Sequence, residues 1–117
     1  MDQTNVKNIY NDLLELSNKD RQKSLWLGKE ADHISSYIEL MCRLFDDNDF
    51  DSFIDEFHET RKNTDLSLKL QNLREMLNSY NGDDKSDTDI LMDPNWDSIV
   101  ARASEIIHDW NIDESNH

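Results

Sequence analysis

The sequence predicts an all-α, single-domain bundle of about five helices with one acidic loop, and three observations carry that expectation. Apolar residues recur at three- and four-residue steps in five separate segments, the period of one buried helix face. Only two Val and four Thr occur among 117 residues, and no segment alternates apolar and polar side chains as a half-buried strand would. Short polar residues and one Asp-Pro pair stand between the segments, where helices begin. With 28 residues of Leu, Ile, Val or Phe, the core is small but sits above the level at which a highly charged chain fails to fold.

The first helix is expected over 4–17, with Val6, Ile9, Tyr10, Leu13 and Leu14 as its stripe and Thr4 at its N-cap; Ser17 and Asn18 end it or cap the next. The second, over 20–46, reads as the central helix. Ala31, Ile34, Ile38, Met41 and Phe45 make one stripe, and Tyr37, Leu40 and Leu44 widen it to a surface packed on two sides. Gly28 kinks its start or separates it from a turn at Leu25, Trp26 and Leu27. A third helix over 49–62 carries Phe50, Phe53, Ile54 and Phe57. The fourth, over 65–80 behind a Thr64 or Asp65 cap, carries Leu66, Leu70, Leu73, Leu77 and Tyr80, and Asn81-Gly82 stops it. Leu68 lies off that stripe and is expected to be exposed. Residues 81–93 form the acidic loop, in which Ile90, Leu91 and Met92 either pin the loop to the bundle or anchor a partner. Asp93 at N-cap and Pro94 at N1 start the fifth helix, 94–111, with Trp96, Ile99, Val100, Ala103, Ile106, Ile107 and Trp110 on one face. Residues 112–117 read as a polar, frayed tail.

Charge is unevenly spread. Asp and Glu number 26 against 12 Lys and Arg, a net charge of −14. Residues 1–30 hold five of each sign, so the whole excess falls beyond them. Two clusters dominate: Asp46, Asp47, Asp49, Asp51, Asp55, Glu56 and Glu59, then Asp83, Asp84, Asp87, Asp89, Asp93 and Asp97, relieved by Lys85. Such self-repulsion destabilises a folded chain, and a basic partner would offset it. The same charge argues against direct binding to nucleic acid, whose phosphates it would repel. No apolar run approaches the length of a membrane span, and the first ten residues are too polar for a signal peptide; a cytoplasmic protein without membrane contact is the expectation. Cys42 stands alone, which rules out a disulfide framework and reads as a small buried hydrophobe on the margin of a helix face.

Chemistry-bearing patterns are weak. Glu30/His33, Asp55/His58 and Glu105/His108 have the three-residue spacing of carboxylate-histidine metal ligands, but helical phase turns Glu105 and Asp55 away from the apolar faces on which an inward metal site would be built. Asp47, Asp49 and Asp51 imitate the start of a calcium loop, yet Ser52 stands where that loop needs Gly and His58 where it needs Glu. With two glycines in the chain there is no phosphate-cradling loop, dinucleotide fingerprint or nucleophile elbow. No cofactor and no enzymatic activity are expected.

Tyr80, Asp83-Asp84, Ile99-Val100 and Trp110 follow one another in the order of a tyrosine motif, an acidic stretch and a final helix. In that order the chain resembles the DNase-colicin immunity family, and in its size, acidity and helicity it is similar to bacterial toxin-immunity proteins more widely, including those against contact-dependent growth inhibition toxins. It departs from the colicin family in having one Tyr rather than two, a longer acidic loop and a longer chain. The resemblance implies a non-enzymatic inhibitor that covers the active site or substrate groove of a cognate basic toxin domain, a nuclease. Tyr80, Asp83 and Asp84 carry over as contacts. Asp46, Asp47, Asp49, Asp51, Asp55 and Glu59 would supply one acidic surface, and Tyr80, Asp83, Asp84, Asp87 and Asp89 the other. An acidic helical adaptor, or a nucleic-acid mimic blocking another basic protein, is the alternative.

Overall fold

In a computed structural model, residues 3–27, 35–60 and 64–115 are described. Among them are seven α-helices and no strand: α1 (Gln3–Leu16), α2 (Lys19–Trp26), α3 (Tyr37–Met41), α4 (Phe50–Thr60), α5 (Asp65–Ser79), α6 (Asp87–Leu91) and α7 (Pro94–Ser115). A π-helical turn, Cys42–Asp47, continues α3, and a 3-10 turn, Gly82–Asp84, precedes α6. The class is all-α, as the periodicity predicts.

Local chemistry explains where the helices begin. The side chains of Asn18, Ser36, Thr64 and Ser86 each accept a hydrogen bond from the backbone N–H three residues on, and Asp93 accepts from that of Asn95. Each thereby satisfies a donor that has no intrahelical partner.

The long α7 is the spine, packing along both α1 and α5. Trp96 is fully buried near its start, with ring centroids 5.8 Å from Trp26, 5.6 Å from Tyr37 and 5.3 Å from Tyr80. Trp110 closes the other end between Tyr10 and Phe53. The apolar faces of α1, α4 and α5 meet these two rings in one continuous core.

Several expectations are corrected. The helix over 20–46 is not continuous: Ser36 has an extended backbone (φ −161°, ψ 171°), α2 ends at Trp26, and a new helix starts at Tyr37. Tyr37, Leu40 and Leu44 are its core side, whereas Ile38 is 58% exposed and Cys42 is exposed rather than buried. Gly28, Ala31 and Ile34 fall outside the described residues. The 81–93 loop is a 3-10 turn followed by α6, because Ser86 caps a helix that buries Ile90 and Leu91; Met92 stays exposed. Residues 112–115 belong to α7 rather than to a tail. Leu68 is 54% exposed, as its phase predicts.

Gly82, expected to stop α5, instead opens the 3-10 turn three residues beyond it. No left-handed glycine closes that helix; Tyr80 and Asn81 leave it with negative φ. Gly82 is needed because the Tyr37 ring lies against it: a Cβ there would stand 2.6 Å from Cε2 and 2.8 Å from the hydroxyl oxygen. Tyr37 is 4% exposed and held by Trp96 and Tyr80, so the ring has nowhere to retreat. Gly82→Ala should therefore lower stability by about 1–3 kcal/mol, the usual cost of overpacking. An unchanged denaturation midpoint would show that the ring yields.

Candidate functional site

The two acidic groups meet different fates. On the π turn, Asp46 and Asp47 are exposed and form no ion pair among the described residues. Asp49 has φ 51°, a left-handed conformation that Asp tolerates better than most residues, and its carboxylate accepts weakly from the Ser52 N–H at 3.4 Å while its carbonyl receives the Phe53 N–H. This residue starts α4, so its structural task is the turn. Asp51 and Asp55, with side chains 57% and 69% exposed, share Arg74 at 3.7 and 3.0 Å. Glu59 is exposed at the far end of the same helix.

The second group is largely occupied in building its own turn. Tyr80 is half-buried against Trp96, and its hydroxyl donates to Asp93 at 2.8 Å; burial, then this bond, push its pKa far above the ordinary phenol value. Asp93 is held below the ordinary carboxylate value by the Asn95 N–H and then by Tyr80. Asp87 accepts from the backbone N–H of Tyr37 at 3.2 Å, fastening α6 to α3. Asp84 accepts from the Asn81 amide at 3.2 Å, and Asp97 pairs with Lys19 at 2.7 Å. Asp83 lies in the 3-10 turn, and Asp89 is exposed in the first turn of α6. Tyr80, Lys85 and Asp93 also line an open cleft of about 450 Å³ between the end of α5 and the start of α7.

A polar network that the sequence reading missed lies inside the bundle. Asp12 and Glu15, counted there among balanced N-terminal charges, are each only 7% exposed. Arg43 bridges them, its Nε donating to Asp12 at 3.2 Å and a terminal nitrogen to Glu15 at 2.9 Å. Asn48 donates to the other Asp12 oxygen at 2.8 Å. Glu15 also accepts from Trp26 Nε1 at 3.1 Å and Ser35 Oγ at 2.8 Å. Gln22, wholly buried, donates to the carbonyls of Glu15 and Leu16 at the end of α1 and accepts from Trp96 Nε1. No buried side-chain polar atom among the described residues lacks a partner.

This network accounts for the π turn. Arg43 and Asn48 are five residues apart, too far round an α-helix to act together. The wider turn, closed by the Asn48 N–H on the Arg43 carbonyl at 2.9 Å, stacks them so that both reach Asp12. The signal in the sequence was positional: Asp12 stands at i+3 from Ile9 and i−4 from Leu16, within the buried stripe.

The metal-ligand spacings do not converge. Asp55 is taken by Arg74, while His58 Nδ1 lies 3.1 Å from Ser67 Oγ and 3.0 Å from the Gln71 amide. Glu105 pairs with Arg102 at 2.7 Å, and Glu30 and His33 fall outside the described residues. Among the described residues no group of three His, Cys, Asp or Glu could hold a metal ion, and no helix is long and apolar enough to cross a membrane. No protein-family model, curated protein or solved structure matches the chain.

Burial outweighs Arg43 and Asn48 and raises the pKa of Asp12 above its ordinary value near 3.8. A carboxyl whose folded pKa exceeds its unfolded one supports folding at low pH, and that support is lost as pH rises through the folded value. Asp12 is thus a burden at neutral pH that Arg43 mitigates. Arg43→Ala should cost of order 3 kcal/mol at neutral pH, and the loss should shrink on acidification as Asp12 takes up its proton. Urea titrations across the acid range would read this; a pH-independent loss would contradict the assignment.

Proposed function

We propose that this protein is a non-enzymatic inhibitor of the toxin-immunity type, which binds a cognate basic toxin domain, a nuclease, and covers its active site or substrate groove. The observation that carries the reading is the surface of the π turn and α4. There Asp46, Asp47, Asp49, Asp51, Asp55 and Glu59 are all exposed, and Arg74 is the one cation paired with them among the described residues. Carboxylates left uncompensated at a surface focus a negative field, speed encounter with a basic protein and occupy sites shaped for phosphate. Tyr80, Asp83, Asp84, Asp87 and Asp89 would contribute a secondary rim, since Tyr80 and Asp87 are committed to internal hydrogen bonds. The cytoplasm, where such an inhibitor protects its own cell, is the matching compartment.

The test is a low-salt pull-down from the source cell lysate, with the bound protein released by salt and identified by mass spectrometry. The reading expects a basic nuclease domain whose activity disappears at one equivalent of this protein; a housekeeping or regulatory protein would favour the adaptor instead. With the partner in hand, association should slow steeply as salt rises. Reversing Asp46 and Asp47 to Lys should weaken binding more than reversing Asp84 and Asp89. Equal losses, or salt-independent association, would refute the map.

A further inference from the structure

The segment formed by α3 and the π turn is apolar on two sides: one is buried in the core, and the other packs against the core through Met41 and Phe45 and leaves Ile38 and Cys42 exposed. Tyr37, Leu40 and Leu44 are 0–4% exposed. Ile38, Met41, Cys42 and Phe45 follow at the three- and four-residue steps that gather side chains on one helix face. Ile38 is 58% exposed, Cys42 is exposed, and Met41 and Phe45 are half-buried, Phe45 resting its edge on Phe50. Among the isoleucines whose burial is described, Ile38 stands apart: Ile9, Ile54, Ile90, Ile99 and Ile106 are 0–2% exposed, and Ile107 is half-buried. Leu14, Leu27, Leu68 and Met92 are also exposed, but Ile38 is the one that adjoins an exposed thiol and two half-buried apolar side chains at helical spacing.

The border of the stripe is acidic. Glu39 adjoins Ile38, and Asp46 and Asp47 follow Phe45; all three are exposed and form no ion pair among the described residues. Two copies seated stripe to stripe would bring these like charges together on molecules of net charge −14, so a second copy fits poorly. A basic surface fits on both counts. An apolar contact surrounded by charges is the usual anatomy of a tight interface, in which the dry centre carries the energy and the rim sets rate and register.

We infer that the Ile38-Met41-Cys42-Phe45 stripe is the apolar anchor of the binding surface, and that its occupant is a basic protein surface presenting a nonpolar side chain ringed by Lys or Arg. This rests on the proposed binding of a basic partner and adds where the affinity is concentrated.

The probe is a synthetic amphipathic helix of Leu and Lys, compared with a Lys/Ser peptide and a neutral Leu/Gln peptide of equal length. Binding is read by calorimetry and by the rate at which N-ethylmaleimide alkylates Cys42. The Leu/Lys peptide should bind, slow the alkylation and lose about tenfold or more in affinity to Ile38→Asp. Leu68→Asp, an equally exposed site on α5, should change nothing; far-UV circular dichroism checks that both variants remain helical. Equal effects of the two variants, tight binding of the Leu/Gln peptide, or no binding of the Leu/Lys peptide would overturn the inference. If Ile38→Asp is silent while Asp46→Lys with Asp47→Lys weakens binding, the anchor fails and the charge-based reading survives. If the charge reversals are silent as well, that reading fails at this surface. A wild-type dimer in sedimentation that Ile38→Asp dissociates would give the stripe to a second copy and overturn the basic occupant.

Discussion

Two carboxylates one helical turn apart on α1 point inward, and much of the surrounding structure is arranged to satisfy them. Removing a charge from water costs several kcal/mol unless opposite charge and hydrogen bonds replace the lost hydration. Asp12 and Glu15 share one guanidinium, so the remaining lone pairs must be met by neutral donors. Asn48, Ser35 and Trp26 provide them. Each donor constrains a different piece of chain. Trp26 fixes the end of α2, Ser35 fixes an extended residue just before α3, and Asn48 fixes the exit of the π turn. Gln22 then passes the constraint to α7 through Trp96, the ring around which the aromatic core is assembled.

The same requirement explains which parts of the fold were legible in the sequence. Helices α4, α5 and α7 stand where the apolar spacing and the residues before them place them, because a regular buried stripe and a local start are what shape them. The middle of the chain obeys a polar constraint that periodicity does not express, so a run of apolar residues from 31 to 45 read as one long helix. A cue was present: Ser36 and Glu39 have the spacing of a capping box, which marks a start rather than an interior. The acidic surface was visible as composition. What composition could not show was which acids the fold consumes, since Asp87 answers to a backbone N–H fifty residues away and Asp93 to the Tyr80 hydroxyl just beyond α5.

Ion pairing separates interior needs from surface excess. Arg43 serves the two buried carboxylates, while Lys19, Lys69 and Arg102 pair with acids on α7. The exposed ones among these pairs, Lys19–Asp97 and Arg102–Glu105, add little stability individually. Their effect is to fix where cations sit: the cation of the π turn, Arg43, is spent on the buried acids, and among the described residues none pairs with Glu39, Asp46 or Asp47. Exposed carboxylates without an ion pair among the described residues, Glu39, Asp46 and Asp47, therefore adjoin the apolar stripe of α3.

The π turn carries one further consequence, for how this chain can change in evolution. Compared with an α-helix, the segment between Met41 and Asp49 holds one surplus residue, and that residue lets positions 43 and 48 act as a pair on Asp12. Deleting it would restore ordinary helical winding but rotate Asn48 away from the buried acid. The acid at 12, the guanidinium at 43, the amide at 48 and the length of the segment joining the last two thus form a single heritable unit. Descendants can keep the unit whole or lose the acid and the surplus residue together, so an insertion or deletion here should travel with a substitution thirty residues earlier.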